Sequence, residues 1–348
     1  MSRYLRLSAG RACLRLHRRS LAVGTALALT VLAVGTVALT LGDYGLSVMQ
    51  SFERLLGDGG VRDDYLGVYF VQDVRLPRAV GSMLVGAALG LSGRLFQTVS
   101  GNPLGSPDVV GFSTGAATGA VTAIIVLGAS PAVTALGAVA GGVAAGAVIF
   151  LLSGGAGGSG MRLVLVGIGV SAVLRAVNAL LLVRAPLEVA QSAEQWSAGS
   201  LNGTTWPYVA VLAAVVAAST VFLVPVARGL ALLGLGDDAS TALGAGAASV
   251  RSRAVGVGLL LVCVATAVAG PVAFVALAAP HIAQRLTHGP GAGLTTSALM
   301  GAMLVLVCDV IAQRAIAPAE IAVGVLTGTL GGLYLLVLLW QEYRRNRL

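Results

Sequence analysis

The chain has 348 residues, of which 57% are hydrophobic and only 10% are charged. Soluble domains carry about 25% charged residues, so this composition excludes a water-soluble monomer. All 22 basic residues are arginine. Without lysine, the chain can hold neither a Walker A ATPase loop nor a retinal or pyridoxal Schiff base. The net charge of +8 comes from arginines at the ends of apolar segments, which argues against nucleic-acid binding.

Apolar segments long enough to cross a bilayer, about 20 residues each, follow one another along the chain. One stretch, 254–286, is too long for a single crossing. Because Gly270-Pro271 and Pro280 interrupt it, we interpret it as two segments. The predicted spans are residues 21–41, 79–99, 110–128, 132–152, 162–183, 208–227, the two parts of 254–286, 294–313 and 321–340.

Both ends of the chain are rich in arginine, with six in residues 1–20 and three after residue 343. The positive-inside rule places both ends in the cytoplasm and so requires an even number of crossings. We therefore predict an all-α, polytopic membrane fold with ten transmembrane helices and both termini cytoplasmic. Residues 1–20 form a basic cytoplasmic N-terminus, and residues 21–348 form a single transmembrane domain. Arg75 and Arg78 fall on the outer side, against the rule, which suggests a local function.

The loop at 229–253 follows the sixth predicted span. Within it, Asp237 and Asp238 are suited to cap a short helix through residues 239–243, with Gly244 ending it. A short helix on the cytoplasmic face can transmit force from a soluble partner. The pattern fits an ordinary surface loop equally well.

Polar groups inside spans are costly, and each is a candidate functional residue. Arg175 and Asn178 share one helix face in the fifth span. They can line a path for an anionic substrate, or Arg175 can pair structurally with Asp309 of the ninth span; the pattern slightly favours the pair. His281 is a lone histidine, which we expect to be packed and hydrogen-bonded. We expect small-residue pairs such as Gly86/Gly90 to serve packing within the chain.

Catalytic motifs and metal-ligand spacings are missing from the sequence, so we expect no enzyme activity, no metal and no cofactor. Eight motifs in order resemble those of the FecCD-type permeases, the membrane subunits of ABC importers for iron-siderophores, haem and vitamin B12. They are RLPR (75–78), LVGAALGLSGRLFQ (84–97), NPLGSPDVVGF (102–112), LVGIGVSAVL (165–174), WSAGSLNGTTW (196–206), LGLGDDASTALGAG (233–246), GPVAFVALAAPHIAQRL (270–286) and PAEIAVGVLTGTLGG (318–332).

The resemblance implies a ten-helix permease in the bacterial cytoplasmic membrane, without its own ATPase site. The implied partners are cytoplasmic ATPases, a second permease, for which we favour a heterodimer, and an external siderophore-binding protein. The implied site residues are, for ATPase coupling, Gly236, Asp237, Asp238, Ala239, Leu243 and Gly244; for docking of the binding protein, Arg75, Arg78 and Arg314; and, for the translocation path, Arg175 and Asn178.

Ferric-siderophore import is the predicted function, with vitamin B12 or haem as alternative cargo. An ion-coupled secondary transporter, using Asp309 and Glu320, and a non-transporting scaffold are the rival classes. Several positions depart from the family pattern, which puts the gate geometry near spans eight to ten in question. These are Ala276, Gln284 before Arg285, Gln313 where the family has arginine, and Ile321 and Ala322.

Overall fold

The computed structural model describes residues 4–9, 12–42, 44–56, 65–287, 293–316 and 319–345. The fold begins with a short antiparallel hairpin of strands β1 (Tyr4–Ala9) and β2 (Ala12–His17). The all-α prediction did not include these strands. Helix α1 (Arg18–Thr40) follows directly. The rest of the fold is built from helices.

The later helices are α2 (Val48–Leu56), α3 (Tyr65–Tyr69), α4 (Leu76–Ser100), α5 (Pro107–Val110), α6 (Phe112–Leu127), α7 (Pro131–Leu152), α8 (Gly160–Arg184), α9 (Leu187–Ser197), α10 (Trp206–Leu233), α11 (Asp237–Ala242), α12 (Ala247–Ala269), α13 (Val275–Thr287), α14 (Leu294–Arg314) and α15 (Val323–Arg345). A π-helical segment, Phe70–Arg75, makes α3 and α4 continuous. Proline in the first turn of α7 and α10, and a Ser159 hydroxyl that accepts from the Arg162 amide at α8, mark helix starts.

Within the described residues, 7 helices are long and apolar enough to cross a membrane. They are α1, the continuous α3–α4 helix, α7, α8, α10, α12 and α14. Two shorter apolar helices lie at Phe112–Leu127 and Val323–Val337. The chain is thus a multi-pass membrane protein, while the count of ten spans stays a prediction.

The long apolar stretch is divided as predicted, but at one point only. Gly270, with φ +68, ends α12, and α13 begins after Phe274, a non-glycine residue with φ +67. Pro280 lies inside α13 and does not break it. Since proline has no amide hydrogen, the Ala276 carbonyl loses its helical partner. A Cβ at Gly93 of α4 would overlap this carbonyl oxygen, so α4 can pack this closely against α13 only because residue 93 is glycine.

Helix α4 is the centre of the bundle and packs against α10, α12, α13 and α14. A Cβ on Gly86 would overlap the Gly301 carbonyl of α14, and one on Gly90 would overlap that of Ser297. Helices α6 and α7 meet in the same way through Gly119 and Gly137. The small-residue pairs therefore serve contacts within the chain, as predicted.

Candidate functional site

The N-terminal end of α4 is called the outer end here, and the end carrying α11 the inner end, after the predicted orientation. At the outer end, Arg75 is only 7% exposed. Its Nη1 donates to the Leu39 carbonyl at 2.9 Å and its Nη2 donates to the Tyr44 carbonyl. A cation is favourable at the carbonyl end of a helix, so Arg75 ties the start of α4 to the end of α1.

Arg78 lies one turn further along α4, between two carboxylates. Its Nε and Nη2 form a fork on Asp309 of α14, with Nη2 at 3.0 Å from Oδ1. Its Nη1 lies 3.0 Å from Oε2 of Glu320, in the segment that leads into α15. The Asp309 side chain is 2% exposed and that of Glu320 is 40% exposed. The two ion pairs join α4, α14 and the start of α15.

The alternative that paired Arg175 with Asp309 is wrong, because Asp309 pairs with Arg78. Arg175 is exposed on α8 and makes no ion pair with a described residue. It lies about 22 Å along the helix from Gly160, since each residue rises 1.5 Å. Asn178, one turn on, is half-buried, and its Oδ1 has no hydrogen bond within the described part of the chain.

The three arginines predicted to dock a binding protein have unequal exposure. Arg314, the last residue of α14, is exposed, whereas the Arg78 side chain is 12% exposed and Arg75 is buried. Gln313, which departs from the family pattern, donates to Asp309 Oδ2 at 2.8 Å and so completes the partners of that carboxylate. The docking role of these arginines stays a prediction.

At the inner end, α11 begins at Asp237, two residues earlier than predicted. Gly236, with φ +102, precedes it, and Leu243 and then Gly244, with φ +81, end it. The side chains of Asp237 and Asp238, which we expected to cap the helix, lie outside the described residues. Leu243 is 62% exposed. The segment therefore presents apolar surface at the inner end.

A cavity of about 340 Å³ adjoins this segment, between the inner ends of α4 and α10. Arg94, Gln97, Asn102 and Gln284 are among its lining residues. In the amide orientation that satisfies both groups, the Gln284 oxygen accepts from Arg94 Nη2 at 3.1 Å. This departure from the family pattern thus links α13 to α4, a contact that the sequence did not reveal.

Asp108, in the short helix α5 before α6, has an enclosed carboxylate. The Ser113 hydroxyl donates to its Oδ1, while Oδ2 is buried. Burial raises the pKa of Asp108, and the hydrogen bonds from Ser113 and from the Phe274 backbone oppose that rise. The carboxylate therefore holds α5 against the first turn of α6.

A larger cavity, about 570 Å³, opens at the outer end. Its polar lining includes Gln195, Asn202, Tyr208 and Glu320. Sequence reasoning missed it because its walls come from segments far apart in the chain: the end of α6 and the start of α7, α9 and the loop after it, the start of α10, the end of α12 and residues 320–322. The available signal was the pair of motifs at 196–206 and 318–332, which both contribute residues to it.

His281 behaves as predicted: its Nδ1 lies 2.6 Å from the Tyr334 hydroxyl of α15. No group of three potential metal ligands occurs in the part of the chain that the structure describes.

A family model described as the FecCD transport family matches residues 29–341. The ferric enterobactin transport system permease protein FepG of Escherichia coli (strain K12) is 41% identical over 94% of this chain and 98% of its own length. The hemin transport system permease protein HmuU of Yersinia pestis is 32% identical over 91% and 96%. A solved inward-facing structure of a metal-chelate type ABC transporter superposes with a TM-score of 0.80 at 27% identity, covering 92% of this chain and 99% of that one. The chain belongs to the FecCD transport family.

Proposed function

We propose that this chain is the permease subunit of an ABC importer that carries ferric-siderophore complexes across the bacterial cytoplasmic membrane. The observation that carries the proposal is the 41% identity with FepG, which extends over 94% of the chain. In this proposal the chain crosses the bilayer ten times, with residues 1–20 and the C-terminus in the cytoplasm. Residues 21–348 then form one transmembrane domain.

Partner subunits supply the ATP hydrolysis, because a chain without lysine has no Walker A loop. We assign the ATPase contact to the segment around α11. Its residues are Gly236, Asp237, Asp238, Ala239, Leu243 and Gly244. Exposed Leu235 and Leu243, 65% and 62%, give this segment an apolar surface for a soluble partner to cover.

A second permease covers the face of α8 that carries Arg175. A charge near the middle of a span costs at least about 2.5 kcal/mol when it faces lipid, so such groups face protein or water. Arg175 has no carboxylate partner within the described chain. We therefore place Arg175 and Asn178 on a water-accessible path between this chain and a second, different permease. A cation there attracts an anionic iron chelate.

The outer end receives an external siderophore-binding protein. Arg314 is exposed and Arg78 retains some exposure, so both are available to acidic side chains. Arg75 contributes by holding α1 against α4 beneath that surface. Rim charges of this kind set the rate and the register of association.

An ion-coupled secondary transporter is the weaker alternative. Such a protein needs intramembrane carboxylates that bind and release protons or sodium. The two candidates, Asp309 and Glu320, are both engaged by Arg78. Asp309 takes a two-nitrogen fork from Arg78, so this carboxylate is committed to an ion pair within the chain and is not free to bind a coupling ion.

Uptake in bacteria that lack this chain tests the proposal and the cargo. We expect iron-labelled ferric enterobactin uptake to be lost and to return with the wild-type chain. Leu243→Asp should not restore it, because a charge would be placed in the ATPase contact. Leu187→Asp, at an exposed leucine of the outer-end helix α9, is the matched control and should restore it. If haem or vitamin B12 uptake is lost instead, that compound becomes the assigned cargo in place of the siderophore. Uptake that does not depend on ATP would refute the mechanism.

A further inference from the structure

The two carboxylates that bind Arg78 are held in different ways. Asp309 is 2% exposed and takes a two-nitrogen fork, the strong bidentate arrangement. Glu320 is 40% exposed and takes one nitrogen, Nη1. An exposed, single-nitrogen ion pair contributes little and exchanges with solvent or with another anion. Glu320 can therefore leave Arg78 while Asp309 stays in place.

Glu320 also fixes the position of one wall of the outer cavity. Glu320, Ile321 and Ala322 line that cavity consecutively and lead into α15. Three backbone hydrogen bonds hold the same region, from the Ala319 amide to Ile316 at 3.0 Å, from the Ile321 amide to Ala312 at 3.2 Å and from the Gly324 amide to Gly199 at 3.2 Å. The ion pair adds a side-chain link between this wall and the central helix α4.

We propose that Glu320 is a displaceable ligand of Arg78. A carboxylate of the docking binding protein takes its place on Nη1, and the released segment 319–322 moves and widens the outer cavity. Arg78 keeps its fork on Asp309 throughout, so the exchange leaves no buried charge unpaired. This inference rests on the proposed function, since it requires an external acidic partner.

The affinity of the permease complex for its binding protein tests the exchange. We expect Glu320→Gln to tighten binding about two- to fivefold, the worth of an exposed ion pair, because the competing carboxylate is gone. Glu320→Asp should do the same, since it keeps the charge but its shorter side chain does not reach Nη1. Glu188→Gln on α9 removes one exposed negative charge from the same end and should leave the affinity unchanged. An equal effect of Glu188→Gln, or none of either Glu320 variant, overturns the proposal.

Cysteine labelling tests the movement of the wall. Ala322 and Ala129 are both half-buried residues that line the outer cavity, and Ala129 lies outside the segment that carries Glu320. Of the three native cysteines, Cys263 and Cys308 are buried, and Cys13→Ser removes the third. In that background, a membrane-impermeant maleimide should label Ala322→Cys several-fold faster once the binding protein docks. Adding Glu320→Gln should give the faster rate without docking, and Ala129→Cys should not change. Constant labelling at residue 322, or equal changes at both sites, overturns the proposal.

Siderophore uptake by the Glu320→Gln complex separates this inference from the proposed function. If wild type and variant both take up siderophore, but the affinity and the labelling rate do not change, the displacement is refuted and the proposed function stands. Absence of siderophore uptake by the wild-type complex refutes the proposed function itself.

Discussion

Helices α4 and α8 have 25 residues each, yet they occupy opposite environments. In the apolar 18-residue window of the helix that contains α4, 72% of the residues are buried and the mean hydropathy is 1.4, while in that of α8 17% are buried and the mean hydropathy is 2.0. The more apolar helix is therefore the more exposed one. In a membrane, hydropathy does not draw a helix inward, because lipid is as apolar as protein. Small residues and ion pairs place α4 at the centre.

The arginines of the two helices give the sharpest test of this contrast. Arg78→Gln should destabilise the fold by about 3–5 kcal/mol, because Asp309 then stays buried without its cation. Arg175→Gln should change stability by less than about 0.5 kcal/mol, since Arg175 has no carboxylate partner within the described chain. Thermal unfolding of the purified chain in detergent compares them. Similar losses for both variants would mean that Arg175 also has a structural partner.

Glycines provide a matched pair with a smaller expected effect. Gly86→Ala puts a methyl group into the Gly301 backbone and should cost about 1–3 kcal/mol. Gly169→Ala on α8 meets no atom within 4 Å and should be neutral or slightly stabilising. Both substitutions gain the same helix propensity, so the difference in melting temperature reports packing alone. Equal shifts would remove the distinction between the two helices.

Transport should depend on Arg175 of α8, even though the stability of the chain does not. We expect Arg175→Gln to reduce ferric-siderophore uptake roughly tenfold, which is the smaller end of the rate increase that electrostatic attraction gives. The chain should still assemble with its partners. Arg175→Lys keeps the charge and should retain most of the uptake. Full uptake by Arg175→Gln would place this residue outside the path.

Asp108 should give the smallest effect, and one that depends on pH. Its folded pKa lies above the ordinary value of 3.8, so the wild type loses relative stability as pH rises through the raised pKa. Asp108→Asn keeps an oxygen for the Ser113 hydroxyl and does not ionise. We expect the variant to match or exceed wild type at neutral pH, with the advantage shrinking in acid. An advantage that grows in acid would contradict the raised pKa.

The structure has a helix at each of the predicted spans and the predicted break at Gly270. These features could be predicted because apolar length and glycine-proline chemistry are local signals. The sequence also predicted that the small-residue pairs pack within the chain. The N-terminal hairpin and the start of α11 at Asp237 were not predicted, since short elements depend on a few neighbouring contacts. Pro280 suggested a break that the structure lacks.

Long-range pairings were beyond the sequence. Arg78 and Asp309 are 231 positions apart, and residue type alone suggested Arg175 as the partner of Asp309. Which arginine reaches Asp309 depends on α4 and α14 packing through Gly86 and Gly301. The burial of Arg75 could not be read from the sequence for a similar reason, because the carbonyls that accept its hydrogen bonds belong to α1 and the loop after it.

Reconstituted uptake tests the central claim most directly. Vesicles would hold this chain, the proposed second permease and the ATPases, with binding protein and iron-labelled siderophore outside and ATP inside. We predict accumulation that stops when the ATPases are made hydrolysis-deficient and that is absent from vesicles containing this chain alone. Accumulation by the chain alone, or by the full complex without ATP hydrolysis, would contradict the account.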